Sequence, residues 1–177
     1  RISPTTAQAV ADDIGDRIDL IADGGRAAFG VESTIVKVAD GKLHLLRPGG
    51  VTAGELRNAL GVDPVRGGGT GIEAPGMLAS HYAPRAAVRL DANEVAGGEA
   101  LLAFGPARIA GADKAAMVLN LSQKGHMREA AANLYEHLMA LDRSGAATIA
   151  VEPVPEDGLG EAINDRLRRA AAPRNAG

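Results

Sequence analysis

The stretch Ala74-Pro75-Gly76-Met77-Leu78-Ala79-Ser80-His81-Tyr82-Ala83-Pro84 divides the chain. Two prolines and a glycine suit neither a helix interior nor an inner strand. Met77, Leu78 and Tyr82 need a surface to pack on, which distinguishes the stretch from a solvated connector. Just upstream, Arg66-Gly67-Gly68-Gly69-Thr70-Gly71 changes the composition sharply. Together they exceed a plain connection inside a compact domain. The reading predicts two units, residues 1–62 and 86–177, joined by a linker and lid over 63–85 that brings His81 to a site on a neighbouring unit.

The 177 residues suffice for one large or two small domains. Hydrophobic residues make up 46% but aromatic ones only 2%, so Ala, Val, Leu and Ile must build the core. The absence of cysteine excludes disulfides, thiolate metal sites and a cysteine nucleophile, and agrees with a reducing, cytoplasmic setting. A net charge of -3 gives no long-range attraction for nucleic acid. No apolar run reaches the roughly 18 residues of a membrane span.

Upstream of the linker, Ser3-Pro4 predicts a helix start, with Ala7, Val10, Ala11 and Ile14 on one face and Gly15 at its end. Ile18 to Ala22 reads as a buried strand and Asp23-Gly24-Gly25 as the turn after it. Ser33 to Val38 and Leu43 to Leu46 flank Asp40-Gly41, a hairpin signal that brings Ser33 and Arg47 to the same end. Thr52-Ala53-Gly54-Glu55 is a capping box, predicting a helix from Ala53 to Leu60.

Downstream, short apolar runs at 88–90, 100–104, 116–121 and 147–151 alternate with helical patterns at 127–142 and 159–171. Ala130, Leu134, Leu138 and Leu141 form the apolar stripe of the first helix. Strands joined through helices imply a small Rossmann-like parallel sheet, and the whole chain is α/β.

Arg47, between Leu45-Leu46 and Pro48-Gly49, reads as a fixed guanidinium for a phosphate or carboxylate, or as an ordinary ion pair. His81-Tyr82 reads equally as a packed pair and as a loop-borne binding pair. Ser33 lacks the Gly-x-Ser-x-Gly elbow, since Ile35 follows two residues later, so a hydrogen-bonding hydroxyl is the better reading than a nucleophile. Residues 67–71 lack the Gly-Lys-Ser/Thr ending of a phosphate loop, and Gly158-Leu159-Gly160 is an incomplete dinucleotide fingerprint. Arg166, Arg168 and Arg169 follow Glu161 and Asp165 at helical spacing, which reads as a solvated ion-paired face. His126 and His137 are too far apart to share a metal, and His44 reads as an exposed strand residue.

Ser3-Pro4-Thr5-Thr6-Ala7, Gly30-Val31-Glu32-Ser33-Thr34-Ile35-Val36, Leu46-Arg47-Pro48-Gly49 and Pro75-Gly76-Met77 with His81-Tyr82-Ala83-Pro84 occur in that order. With these motifs the chain resembles the YrdC-type threonylcarbamoyl-AMP synthases in their long, two-domain form. The stretches Asn120-Leu121-Ser122, Glu129 to Tyr135 and Gly158 to Arg166 are similar to that form's second domain. The resemblance implies synthesis of threonylcarbamoyl-adenylate from L-threonine, bicarbonate and ATP, supplied with Mg2+, with release of pyrophosphate. The product would pass to downstream tRNA-modification proteins. It further implies that Ser33 contacts threonine and that Ser3, Arg47, His81 and Tyr82 contact the nucleotide.

Against that family, the N-terminal part of the catalytic domain is missing. The expected architecture is therefore the C-terminal remnant of a YrdC-like α/β domain, a long linker and the Rossmann-like domain. Weak or no ATP binding and no turnover by this chain alone are expected, as is an unpaired strand edge through which a second copy could pair. The other reading is a non-catalytic regulatory or nucleotide-sensing module.

Overall fold

The structure, a computed structural model, describes residues 4–27, 29–66 and 84–173. The chain begins with helix α1 (Ala7–Ile14), capped by Thr6, whose side chain accepts from the Ala9 amide. The expected start at Ser3 is thus replaced by a later hydroxyl. Thr6 has the extended backbone that an N-cap requires. A 3-10 turn, Gly15–Arg17, follows rather than a clean stop.

Ile18 to Ala22 is not the buried strand its apolar residues suggest. It is irregular, and Leu20 is 84% exposed, because no described strand pairs with it. The following turn forms as expected: the Gly25 amide donates to Asp23 Oδ1 at 2.9 Å.

The hairpin is present. Strand β1 (Ile35–Ala39) pairs antiparallel with β2 (Lys42–Arg47) around Asp40 and Gly41, both at positive φ, as a tight hairpin turn needs. Helix α2 (Ala53–Leu60) carries the complete capping box and ends on left-handed Gly61. Short strand β3 (Val65–Arg66) then adds parallel to β2, giving the order β1-β2-β3. Val36 and Val38 on edge strand β1 are exposed, and His44 is half-buried rather than exposed.

The second sheet is parallel throughout, with strands β4 (Ala87–Arg89), β5 (Ala100–Ala103), β6 (Val118–Asn120) and β7 (Thr148–Val151) in the order β4-β7-β5-β6. Helices α3 (Met127–Arg143) and α4 (Leu159–Ala171) both lie on one face, over Ala100, Leu102, Ile149 and Val151. The opposite face, with Leu101, Ala103 and Ala150, is covered by Ala92, Val95, Ile109, Ala112 and Ala115 from loops and one 3-10 turn. Burial on both sides explains why these strands are continuous apolar runs. The helical crossovers expected throughout occur only between β6 and β7. The β4–β5 and β5–β6 connections are rich in glycine and turn signals and pave the second face as loops. Among the described residues no helix is long and apolar enough to cross a membrane.

Candidate functional site

The hairpin register sets Ile35 opposite Arg47, with an irregularity between Ile35 and Val36. Arg47 thereby falls beside Ser33, as the sequence requires. Its Nε and Nη2 donate to the Ser33 carbonyl at 3.2 and 2.9 Å, and Nη2 lies 3.3 Å from Ser33 Oγ. Arg47 is buried, whereas Ser33 is exposed. The result is a cation held inside the protein beneath an accessible hydroxyl. Accepting from Arg47 leaves the hydroxyl its own hydrogen to donate.

The two segments carrying this pair are zipped together on the other side. The Gly50 amide donates to the Glu32 carbonyl at 3.1 Å. Thr34 Oγ1 accepts from the Val51 amide at 3.0 Å and donates to its carbonyl at 2.5 Å. At Gly49 a Cβ would meet the Glu32 carbonyl oxygen at 2.3 Å and the Thr34 nitrogen at 2.5 Å. Glycine is needed there for close approach, not for turning.

Immediately before Ser33, the chain packs against α3, α4 and the parallel sheet. Gly30 lies against the backbone of Ala131 and Ala132 in α3, and Val31 is part of the core shared by α3, α4 and the parallel sheet. The Glu32 carboxylate receives Tyr135 Oη at 3.0 and 3.1 Å and Arg166 Nε at 2.9 Å. Arg166 Nη1 donates to the Pro48 carbonyl at 2.9 Å and to Asp165 Oδ2 at 2.7 Å. Arg166 is completely buried. Burial opposes its charge, but Glu32, Tyr135 and Asp165 outweigh that and hold its pKa above the ordinary guanidinium value.

The solvated face expected of the last helix therefore holds only at Arg168, which pairs in the open with Glu156; Arg166 is buried, and Arg169 pairs with Asp165 where both are largely covered. The signal was available, since Ile163, Arg166 and Ala170 share one helical stripe and are all buried. Glu32 and Tyr135, also missed, lie in quoted motifs, but the partners that join them stand 103 and 134 residues away in sequence.

Flanking contacts fix the same docking. Arg26 Nη2 donates to the Ala132 carbonyl at 2.9 Å and lies 2.8 Å from Glu136. The Arg128 guanidinium sits 5.1 Å from the Phe29 ring centre. Arg66 makes a two-pronged bond to Glu161, at 2.6 and 3.0 Å. Between α1 and α3 runs a cleft of about 300 Å3, lined by Thr5, Thr6, Ala9, Tyr135 and Met139 among others. Ser3, His81 and Tyr82 lie outside the described residues, as does most of the expected linker.

The carboxyl ends of a parallel sheet are the usual ligand crevice. Here Glu152, 5% exposed, fills that place. It accepts from the Phe104 amide at 2.8 Å, Arg108 Nη1 at 2.7 Å and the Ile109 amide at 3.2 Å. The neighbouring cavity, lined in part by Asp91, Glu152 and Asn164, measures about 70 Å3, well below the roughly 300 Å3 at which small-molecule pockets begin. Gly160 is required by packing, since a Cβ there would lie 1.8 Å from the Pro155 carbonyl oxygen. Among the described residues no three acidic or histidine side chains are grouped to hold a metal ion.

Comparison with known proteins agrees with these motifs. The family model described as threonylcarbamoyl-AMP synthase, C-terminal domain, matches residues 51–172, and one described as telomere recombination matches residues 1–49. Proteins named threonylcarbamoyl-AMP synthase from Bacillus subtilis (strain 168) and Pyrococcus abyssi (strain GE5 / Orsay) are each 34% identical over 97% of this chain, covering 54% and 55% of their own lengths. One from Schizosaccharomyces pombe is 30% identical, with 97% of this chain and 50% of its own length covered. The chain spans about half the length of these relatives. The crystal structure of P. abyssi Sua5 complexed with L-threonine superposes with a TM-score of 0.78 at 31% identity, over 97% of this chain and 54% of that one. A variant of that protein, with a histidine and the adjacent tyrosine replaced by alanine, gives 0.77 at 30% identity with the same coverage. With one model laid over more than half of its residues, the chain belongs to the family of the threonylcarbamoyl-AMP synthase C-terminal domain.

Proposed function

We propose that the chain is part of an L-threonylcarbamoyladenylate synthase serving tRNA threonylcarbamoyladenosine formation. The observation that carries this reading is the buried Arg47 guanidinium held against Ser33. The relatives' name and the L-threonine complexed with the P. abyssi protein support it. In this reading L-threonine lies against the Ser33 hydroxyl, and ATP, as its Mg2+ complex, meets Arg47, Ser3, His81 and Tyr82. The threonine amine takes up carbon dioxide from bicarbonate, and a carbamate oxygen displaces pyrophosphate from the ATP α-phosphorus. Arg47 stabilises negative charge on the phosphates. A linker folded over the site would keep water from the carbamate and the mixed anhydride.

The division into 1–62, 63–85 and 86–177 is kept as part of the proposal, as are a cytoplasmic location and pairing of two copies through the edge of β1. Arg47 and a few hydroxyls are little to hold a tetra-anion, so the chain is expected to need the upstream half of a YrdC-type domain. Threonine-dependent pyrophosphate release, with ATP, Mg2+ and bicarbonate, tests this with and without that half. Turnover that needs the added half and vanishes in Arg47→Ala and His81→Ala supports the reading. Silence from a reconstituted, folded domain overturns it in favour of a regulatory module.

A further inference from the structure

One guanidinium from the second unit grips both flanks of the Ser33–Arg47 pair. Arg166 bonds Glu32, the residue before Ser33, and the carbonyl of Pro48, the residue after Arg47. Tyr135 Oη holds the same Glu32 carboxylate. From this we infer that Arg166, assisted by Tyr135, is a positioning residue for the Ser33–Arg47 site, so that α3 and α4 help to set its geometry. The inference rests on the reading of Ser33 and Arg47 as ligand contacts.

The chemistry favours positioning over simple adhesion. Arg166 is 0% exposed and its Nη2 is buried with no hydrogen-bond partner among the described residues, so the side chain bears a desolvation cost that an apolar residue of similar volume would avoid. What an apolar residue could not do is hold two backbone segments at fixed hydrogen-bond distances. Val31 and Gly30 already supply the apolar, close-packed part of this contact. The guanidinium adds direction.

The readout is the Arg47 Nε–H group, which donates to the Ser33 carbonyl. Its solvent exchange is followed by NMR in the complete chain, beside the amides of Leu102 and Ile149 in the second unit's core. In Arg166→Lys and Tyr135→Phe, Arg47 Nε–H should exchange on the order of tenfold faster while the core amides keep their protection. If a single change unfolds the chain, the double variant Arg166→Met with Glu32→Gln removes both charges together. In it Arg47 should again lose protection selectively. Wild-type protection of Arg47 in these folded variants would overturn the inference, as would an equal loss at the core amides, which marks general destabilisation. Titration with L-threonine, followed at Ser33, is a separate arm. Positioning predicts binding about tenfold weaker in Arg166→Lys than in wild type. If threonine leaves wild-type Ser33 unmoved even with the upstream half supplied, the proposed function suffers, and Arg47 exchange still decides the positioning.

Discussion

Replacing Gly30 by alanine should detach the loop before β1 from α3. A Cβ at this position would lie 2.0 Å from the Ala131 carbonyl oxygen, 2.6 Å from Ala132 Cα and 2.8 Å from the Ala131 carbonyl carbon. The first distance is some 1.4 Å inside the 3.4 Å at which ordinary contact begins. All three atoms are helix backbone, and Ala130 and Ala131 beneath them are fully buried, so α3 cannot recede. The loop must move by more than an ångström, far enough to disturb the 2.9 and 3.0 Å bonds of Glu32. If it absorbs the clash locally, overpacking costs about 1–3 kcal/mol. If it lifts, Val31 loses burial worth about 1.5 kcal/mol, and Arg166 loses Glu32 and keeps only Asp165 as an ionic partner, a further ~2.5 kcal/mol, below the cost of an entirely unpaired buried charge. The second case is favoured because the obstruction is rigid. We expect a loss of about 4 kcal/mol in urea denaturation and faster hydrogen exchange over residues 30–34. A loss below about 1 kcal/mol with unchanged exchange would refute the docking of Gly30 on α3.

Three further outcomes follow from contacts elsewhere. Thr52→Ala removes the hydroxyl that accepts from the Glu55 amide and donates to Glu55 Oε2, leaves the backbone half of the capping box in place, and should cost about 1 kcal/mol by denaturation. Arg66→Ala should cost less than about 1 kcal/mol despite the two-pronged bond to Glu161, because Arg66 is 61% exposed; a larger loss would mean that β3 itself depends on the pair. Burial holds His137 below its usual 6.5, so in the window just below that value the unfolded chain binds the proton and the folded chain does not. Stability is then full above pH 6.5 and falls as pH drops towards the folded pKa. Glu99, held below 4.5 chiefly by the hydrogen bond from Arg89, adds a second loss under pH 4.5. Denaturation across this range checks both, and His137→Gln should abolish only the first.

Legibility in the sequence follows the range of the interactions. The capping box of α2, the Asp40-Gly41 turn and the stripe Ala130, Leu134, Leu138 and Leu141 are complete within a few residues, and each appears as read. Ser33 and Arg47 also fall together as read, because a two-residue turn leaves little freedom in register. Ile18 to Ala22 misleads because a strand needs a neighbour that local apolarity does not supply. Arg166 misleads for the opposite reason. Its charge and the acids one turn away suggest solvent, while its partners Glu32 and Pro48 stand 134 and 118 residues away.

The signature stretch Gly30 to Ile35 is consequently two devices in sequence. Its first three residues face the second unit: glycine for close approach, valine for burial, glutamate for a directed ion pair. Ser33 and Thr34 face the hairpin and the Pro48–Val51 segment. Because they are contiguous, displacement of Glu32 cannot be absorbed before Ser33 is reached: consecutive Cα atoms are only about 3.8 Å apart across a planar peptide. A purely apolar junction would leave Ser33 some freedom to slide. The Arg166 fork, braced by Asp165 on its own helix, recognises the Glu32 carboxylate and the Pro48 carbonyl, so it selects a single placement. Helices α3 and α4 are thus tied to the Ser33–Arg47 pair through adjacent backbone, without any need for the crevice of the parallel sheet to bind a ligand.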